Sequence, residues 1–266
     1  MLLAGEADLA VHSGKDLPYC LAEGLTIGGV PMMADARDCL VSLPENGGLH
    51  SRDPESGGLH NAGPVGTGSP RRRTEYLRLC PDAEFAGIRG NINTRIRRLR
   101  EGAYGSIILA KAGLDRLEPD LSGLTVRVFS AEEMIPAPCQ GILAAECRAD
   151  DKKTAEVLRR ITDPAAARRF EVERYLFGSM KADCAMAVGI HAEFGRFPGD
   201  ELPESGEPGT GTECRKNKGT GTGTDRMEDV EMVRILALFG GKRTVKCGPA
   251  AEYRRLCGEI CAEIYG

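Results

Sequence analysis

Apolar and polar positions alternate between two periods along the chain. The short apolar run Leu9-Ala10-Val11 predicts a strand that ends at His12-Ser13-Gly14-Lys15-Asp16. Ile107-Ile108-Leu109-Ala110 predicts a second strand, followed by a helix start at Ala112-Gly113-Leu114. Leu124 to Phe129, Ile142 to Glu146 and Met186 to Phe194 are further strand-like runs. Between them the period changes. Ile92, Ile96 and Leu99 recur at helical spacing, with Gly102 as a stop. Asp163-Pro164 has the form of an N-cap followed by proline at the first helical position, and it opens a helix to about Phe177. Tyr253, Leu256, Ile260 and Ile264 form the stripe of a last helix. Strands alternating with helices predict an α/β protein with largely parallel sheet.

Two stretches break this pattern. Residues 44–65 are rich in Gly, Pro, Asn and Ser and repeat Gly-Gly-Leu-His at 47–50 and 57–60. Residues 198–224 carry acids first and then Gly-Thr repeats. Both read as solvated insertions. At 266 residues, composition adds exclusions. No apolar run approaches the roughly 18 residues of a membrane-spanning helix. Met1 is followed by Leu2-Leu3-Ala4 and then acids, which is not the form of a secretory signal, so a cytoplasmic location is expected. Ten cysteines show no CxxC spacing, and the four histidines show no metal-ligand spacing, so reduced thiols and no metal are expected.

Charge changes the picture more. The chain has a formal net charge of −4, yet residues 71–100 hold nine Arg against Glu75, Asp82 and Glu84, a local +6. Such separation points to an anion site. Gly66-Thr67-Gly68-Ser69-Pro70-Arg71-Arg72 reads as a loop, a Ser N-cap and a proline-led helix start, whose free N–H groups favour an anion. Arg71 and Arg72 in a first helical turn oppose the dipole, and a bound anion would offset that. Arg89-Gly90-Asn91, with Arg95 one turn on, has the same form. Arg73, Arg78, Arg97, Arg98 and Arg100 read as a solvated helix face. Only Tyr76 and Phe85 interleave the basic run, which is poor for stacking on RNA bases, so no nucleic-acid partner is expected.

Several of these segments in order resemble the porphobilinogen deaminase (hydroxymethylbilane synthase) family. His12-Ser13-Gly14-Lys15-Asp16-Leu17-Pro18 resembles its HSxKDxP loop. The likeness continues through residues 66–72, Arg89 to Arg95, and Ile108-Leu109-Ala110-Lys111-Ala112-Gly113-Leu114-Asp115-Arg116. Pro136 to Arg148, with Gln140-Gly141 and Glu146-Cys147-Arg148, is similar to its PxxxQGxxxxECR segment, and Asp183-Cys184 followed by Gly189 to its cofactor-cysteine loop. The resemblance implies three domains: two periplasmic-binding-protein-like lobes, the first truncated, and a smaller α+β C-terminal domain. Residues 1–43 with 142–160 would form the first lobe, 44–141 the second, and 161–266 the third, with the insertion 198–224.

The implied activity joins four porphobilinogen molecules into hydroxymethylbilane with release of ammonia, in tetrapyrrole (haem) biosynthesis, on a covalently bound dipyrromethane cofactor. The resemblance assigns Asp16 to stabilising the cationic azafulvene left when ammonia departs, with Lys15 beside it. It gives Cys184 the thioether to the cofactor, and Ser13, Thr67, Ser69, Arg71, Arg72, Arg89 and Gly90 contact with that cofactor. Arg95, Arg116, Gln140 and Gly141 would bind substrate. A growing pyrrole chain bears an acetate and a propionate on each ring, which suits rigid Arg forks. The expected partner is porphobilinogen alone, bound by a monomer, with no membrane. The family's opening βα unit has no counterpart ahead of Met1, so a missing segment, a split gene or a non-catalytic polycarboxylate-binding protein of the same fold stay open as readings. Gly68 and Pro70 also depart from the family's Ser and Leu.

Overall fold

The computed structural model describes residues 1–18, 20–44, 63–180, 186–197 and 230–266. Three sheets organise these residues. In the first, β1 (Leu9–Ser13) and β2 (Leu25–Met33) flank β8 (Ile142–Arg148), and both pairings are antiparallel. Alternation along β8 feeds two small cores. Ile142 and Ala144 pack with Val30, Leu17 and Phe170 on one face. Ala145 and Cys147 meet Leu158 of α4 (Lys152–Arg160) on the other.

The second sheet runs β5 (Phe85–Ala86), β4 (Val65–Gly66), β6 (Ser106–Ala110), β3 (Asp38–Ser42), β7 (Thr125–Val128). Both faces are covered, as the continuous apolar run of β6 requires. One face packs Tyr76 of α1 (Pro70–Leu79) with Leu40, Ile108 and Phe129. The other packs Ile96 and Leu99 of α2 (Ile92–Arg100) and Leu114 of α3 (Lys111–Leu117) with Val41, Ile107 and Leu109. The third sheet, β11 (Lys242–Pro249), β10 (Met232–Phe239), β9 (Val188–Gly195), is an antiparallel meander. α6 (Tyr253–Tyr265) and the C-terminal half of α5 (Pro164–Ser179) cover one face of it. Ile135 and Ala131 meet Leu236 and Leu238 on the other face.

The chain is α/β, but its sheets are largely antiparallel rather than parallel. Among the described strands, only β4 pairs in parallel, with β5 and β6. The alternation of strands and helices in sequence hides two long excursions. β8 returns to the first sheet after the whole second unit has intervened, and it runs against both neighbours. β3 pairs with β6 and β7 in the second sheet, and the strands of the first sheet are β1, β2 and β8. Both crossings, 34–37 and 129–141, lie side by side, with Ala34 N–H donating to the Gly141 carbonyl at 2.8 Å. The segment 198–224 and most of 44–65 lie outside the described residues.

A candidate anion cleft between the lobes

The site begins where β1 ends. After Ser13 the chain turns tightly through Gly14–Asp16. This turn abuts a second one, Cys139-Gln140-Gly141, at the end of the crossing back to β8. Gly14 is required there: a Cβ would lie 2.9 Å from that of Cys139. Gly141 is required as well, at φ +85°, with the Ala34 carbonyl 2.6 Å from where a Cβ would stand. The two turns form one wall of a cleft. The other wall comes from the second unit, through the N-terminus of α2, the start of α3 and the end of β6.

Between these walls lies a cavity of about 230 Å³ lined by Ser13, Lys15, Arg72, Gly90, Asn91, Arg95, Arg116, Gln140, Gly141 and apolar atoms of β6 and α3. Among the described lining residues four are cationic and none is acidic. Lys15, Arg95 and Arg116 make no ion pair with a described residue. The charges act on each other. Part of Lys15 reaches solvent, but desolvation against the surrounding protein, then the Arg72 charge, lower its pKa to about 8. Burial and the Arg72 charge likewise lower Arg95. Its Nε donates to the Gly90 carbonyl at 2.8 Å, which fixes the guanidinium at the α2 N-terminus, where Asn91 caps the Thr94 N–H at 2.9 Å.

Arg71 and Arg72 turn out to have an anion supplied by the chain itself. Asp38, fully buried at the start of β3, accepts from Arg71 Nη1 at 2.6 Å and from Arg72 Nη2 at 2.8 Å. Burial opposes its charge, but the two guanidiniums prevail and hold its carboxyl well below the usual range. Arg71 also donates to the Ile135 carbonyl at 2.7 Å, and it is absent from the cleft lining. Thr67 is buried and its Oγ1 accepts from the Ser69 N–H, while Ser69 caps α1 through the Arg72 N–H. These two residues shape the loop rather than line the cleft. Arg89 and Asp16 are exposed and also stand outside the lining, Asp16 in the same turn as Lys15. Cys184 lies outside the described residues.

A lone acid at a strand start carries no pattern that marks Asp38 as a partner for arginines 33 and 34 residues on. Asn91 stands at the helix start that the sequence places after Gly90, and it caps α2 there. Gln140 is buried. Its Nε2 donates to the Ala36 carbonyl at 2.6 Å and to Asp38 at 3.0 Å, and its Oε1 has no partner among the described residues. A larger cavity of about 500 Å³ lies behind the crossings, against Arg37, Glu132, Arg169, His191 and Glu193. Its charges pair among themselves, Arg37 with Asp35 and Glu193 with His191 and Arg234, so it lacks the uncompensated charge of the cleft.

Fold and site together define a class: an α/β protein of three sheets, the third an antiparallel meander, with a cation-lined cleft where its first two units meet. The profile described as porphobilinogen deaminase, dipyrromethane cofactor binding domain, matches residues 1–156. A porphobilinogen deaminase of Streptococcus sanguinis is 40% identical over 193 residues, covering 72% of this chain and 61% of its own. One of Syntrophobacter fumaroxidans is 38% identical over 229 residues, 81% of this chain and 70% of its own. The chain belongs to the porphobilinogen deaminase family, and it spans roughly three fifths to seven tenths of the length of these relatives. Among solved structures, an amino acid ABC transporter substrate-binding protein from Streptococcus pneumoniae aligns over 60% of this chain and 62% of its own, at 13% identity and a TM-score of 0.36.

Proposed function

We propose that the chain carries the family's reaction, in which four porphobilinogen molecules are joined head to tail into hydroxymethylbilane. In each condensation the aminomethyl carbon of one pyrrole bonds to the free α-carbon of the next. The amine leaves with the displaced ring hydrogen as ammonia, and water releases the finished chain. The observation that carries this reading is the cleft lining, in which the described residues include four cations and no acid. A ligand with an acetate and a propionate on every ring supplies the missing negative charge.

The residues present fit a dipyrromethane group. Lys15, Arg72, Arg95 and Arg116 offer donors for its carboxylates, and Gln140, whose Oε1 has no partner among the described residues, offers an acceptor for a pyrrole N–H. Cys184 is the proposed thioether attachment. When bound, the group supplies the pyrrole α-carbon at which chain growth starts. The protein's own contributions are distinct. Lys15 and Arg95 orient substrate carboxylates. Arg72, anchored on Asp38, offers its charge without having to be ordered on binding. Asp16, in the same turn as Lys15, stabilises the pyrrole cation formed as ammonia leaves and holds the ring N–H proton. The protein is proposed to act in the cytoplasm as a monomer. No helix among the described residues is long and apolar enough to cross a membrane.

The test is to incubate the purified chain and its Cys184→Ala variant with porphobilinogen, then measure intact mass and released ammonia. A mass gain of two linked pyrroles on the wild type only, together with ammonia, supports the reading. Binding of porphobilinogen with neither adduct nor ammonia would mark a polycarboxylate-binding protein of the same fold.

A further inference from the structure

Behind the cleft wall, one ion pair holds the turn that presents Gln140. Glu173 on α5 is fully buried. Its Oε2 accepts from the Cys139 N–H at 2.5 Å. Its Oε1 accepts from Arg169 Nε at 2.7 Å and from the Ala192 N–H of β9 at 3.0 Å. Arg169 in turn donates from Nη2 to the Gln140 carbonyl at 2.9 Å. Both members of the pair therefore bind the backbone of one three-residue turn. That turn needs holding. Cys139 sits at φ +58°, a left-handed conformation in which a β-carbon is crowded and which persists only where surrounding bonds over-determine it. On the cleft side, the same turn aims the Gln140 amide at Asp38 and Ala36. Asp38 in turn seats Arg72.

We propose that Glu173 is a positioning residue for the cleft. Through the turn at Cys139–Gly141 it sets Gln140 against Asp38, and it registers that wall to strand β9 of the third domain. The inference rests on the function proposed above, in which Gln140 meets ligand. It goes beyond it by making the third domain a determinant of cleft geometry. β9 opens four residues after Cys184, so the carboxylate that shapes the cleft also bonds the strand leading away from the proposed attachment point.

The experiment is a double-mutant cycle on the full chain. Porphobilinogen affinity is measured by calorimetry for Glu173→Gln, Gln140→Ala and the double variant. Glu173→Gln is expected to weaken binding about tenfold, the loss of a charge-assisted bond at the turn. Gln140→Ala is expected to do the same, and the double variant to be no weaker than the worse single one. Glu171→Gln, on the exposed face of the same helix, is expected to leave affinity unchanged. Should Glu173→Gln fold poorly, Arg169→Met with Glu173→Leu replaces the buried pair by apolar volume, which such sites tolerate, while removing both bonds to the turn. Additive losses in the cycle overturn the proposal. If the wild type binds no porphobilinogen, the functional reading fails separately, and the positioning claim is then read from NMR. Hydrogen exchange of the Gln140 side-chain amide should accelerate in Glu173→Gln but not in Glu171→Gln, and unchanged exchange overturns the proposal.

Discussion

Two consecutive arginines converge on a single buried carboxylate, and that changes what their removal would do. Asp38→Asn keeps the shape of the site but leaves Arg71 and Arg72 buried without a counter-charge, a change that typically costs about 3–5 kcal/mol. Urea unfolding at neutral pH should show a loss of that size. Because the native carboxyl titrates well below its unfolded value, its stabilisation is complete above the unfolded pKa, about 3.9. It drains away only as pH falls below that point. The Asp38→Asn variant should therefore lose less further stability in acid than the wild type. Lys15 gives the opposite window. With its pKa lowered to about 8, it sheds its proton as pH rises through that value, and the cleft loses one of its four charges. Affinity for porphobilinogen should fall across pH 8 in the wild type, and this step should be missing in Lys15→Met. The cations were legible in the sequence because Arg clusters stand out against a net charge of −4. Which of them face a ligand was not legible. That depends on Asp38, whose contact with Arg72 spans 34 residues of chain.

At the scale of elements, turns decide the site more than helices do. Gly141 and Gly102 share a left-handed backbone, at φ +85° and +78°, but only Gly141 has a carbonyl in the space a Cβ would take. Comparing Gly102→Ala with Gly141→Ala separates the two effects. Gly102→Ala should cost the conformational strain alone, about 1–2 kcal/mol. Gly141→Ala should cost clearly more, because it also pushes the Ala34 carbonyl and so parts the two crossings. Thermal melts of the pair would check the order, and equal losses would show that the close approach is unimportant. Helices were read well from sequence where a cap and a stripe coincide. Asp163 caps α5 by accepting from the Ala166 N–H at 2.7 Å, Pro164 follows it, and Ile96 and Leu99 are the buried residues of α2. Strand direction was not legible. A buried strand such as β6 shows the same apolar run whichever way its neighbour points, and the return of β8 to the first sheet leaves no local mark.

At the scale of the whole molecule, α5 is the shared member. Its first turns pack on the first sheet through Ala166 and Phe170, and its later turns pack on the third through Val172 and Leu176. The junction it forms is charged. His191 of β9 stands between Glu173 and its own neighbour Glu193, at 3.6 and 3.2 Å. Arg169 opposes it from α5, Arg234 of β10 reaches Glu193 and Glu132, and Asp35 and Arg37 face it across the rear cavity. Burial and Arg169 disfavour the imidazolium, yet the two flanking carboxylates outweigh them and raise its pKa. The same contact, with Arg234, holds Glu193 down at about 2. A group whose pKa is raised by folding lends stability that is fully present below its unfolded value, near 6.5, and is lost as pH rises through the folded one. The junction between β9 and α5 should therefore loosen as the solution passes from mildly acid to alkaline. His191→Gln, which keeps one donor and cannot titrate, should flatten that part of the stability profile, measured by denaturant unfolding at a series of pH values, while leaving the acid limb set by Asp38 in place. If the variant and the wild type fall in parallel above pH 6.5, the imidazolium is not what ties β9 to α5, and the Ala192 N–H bond to Glu173 holds the junction together with the apolar packing of Val172 and Leu176.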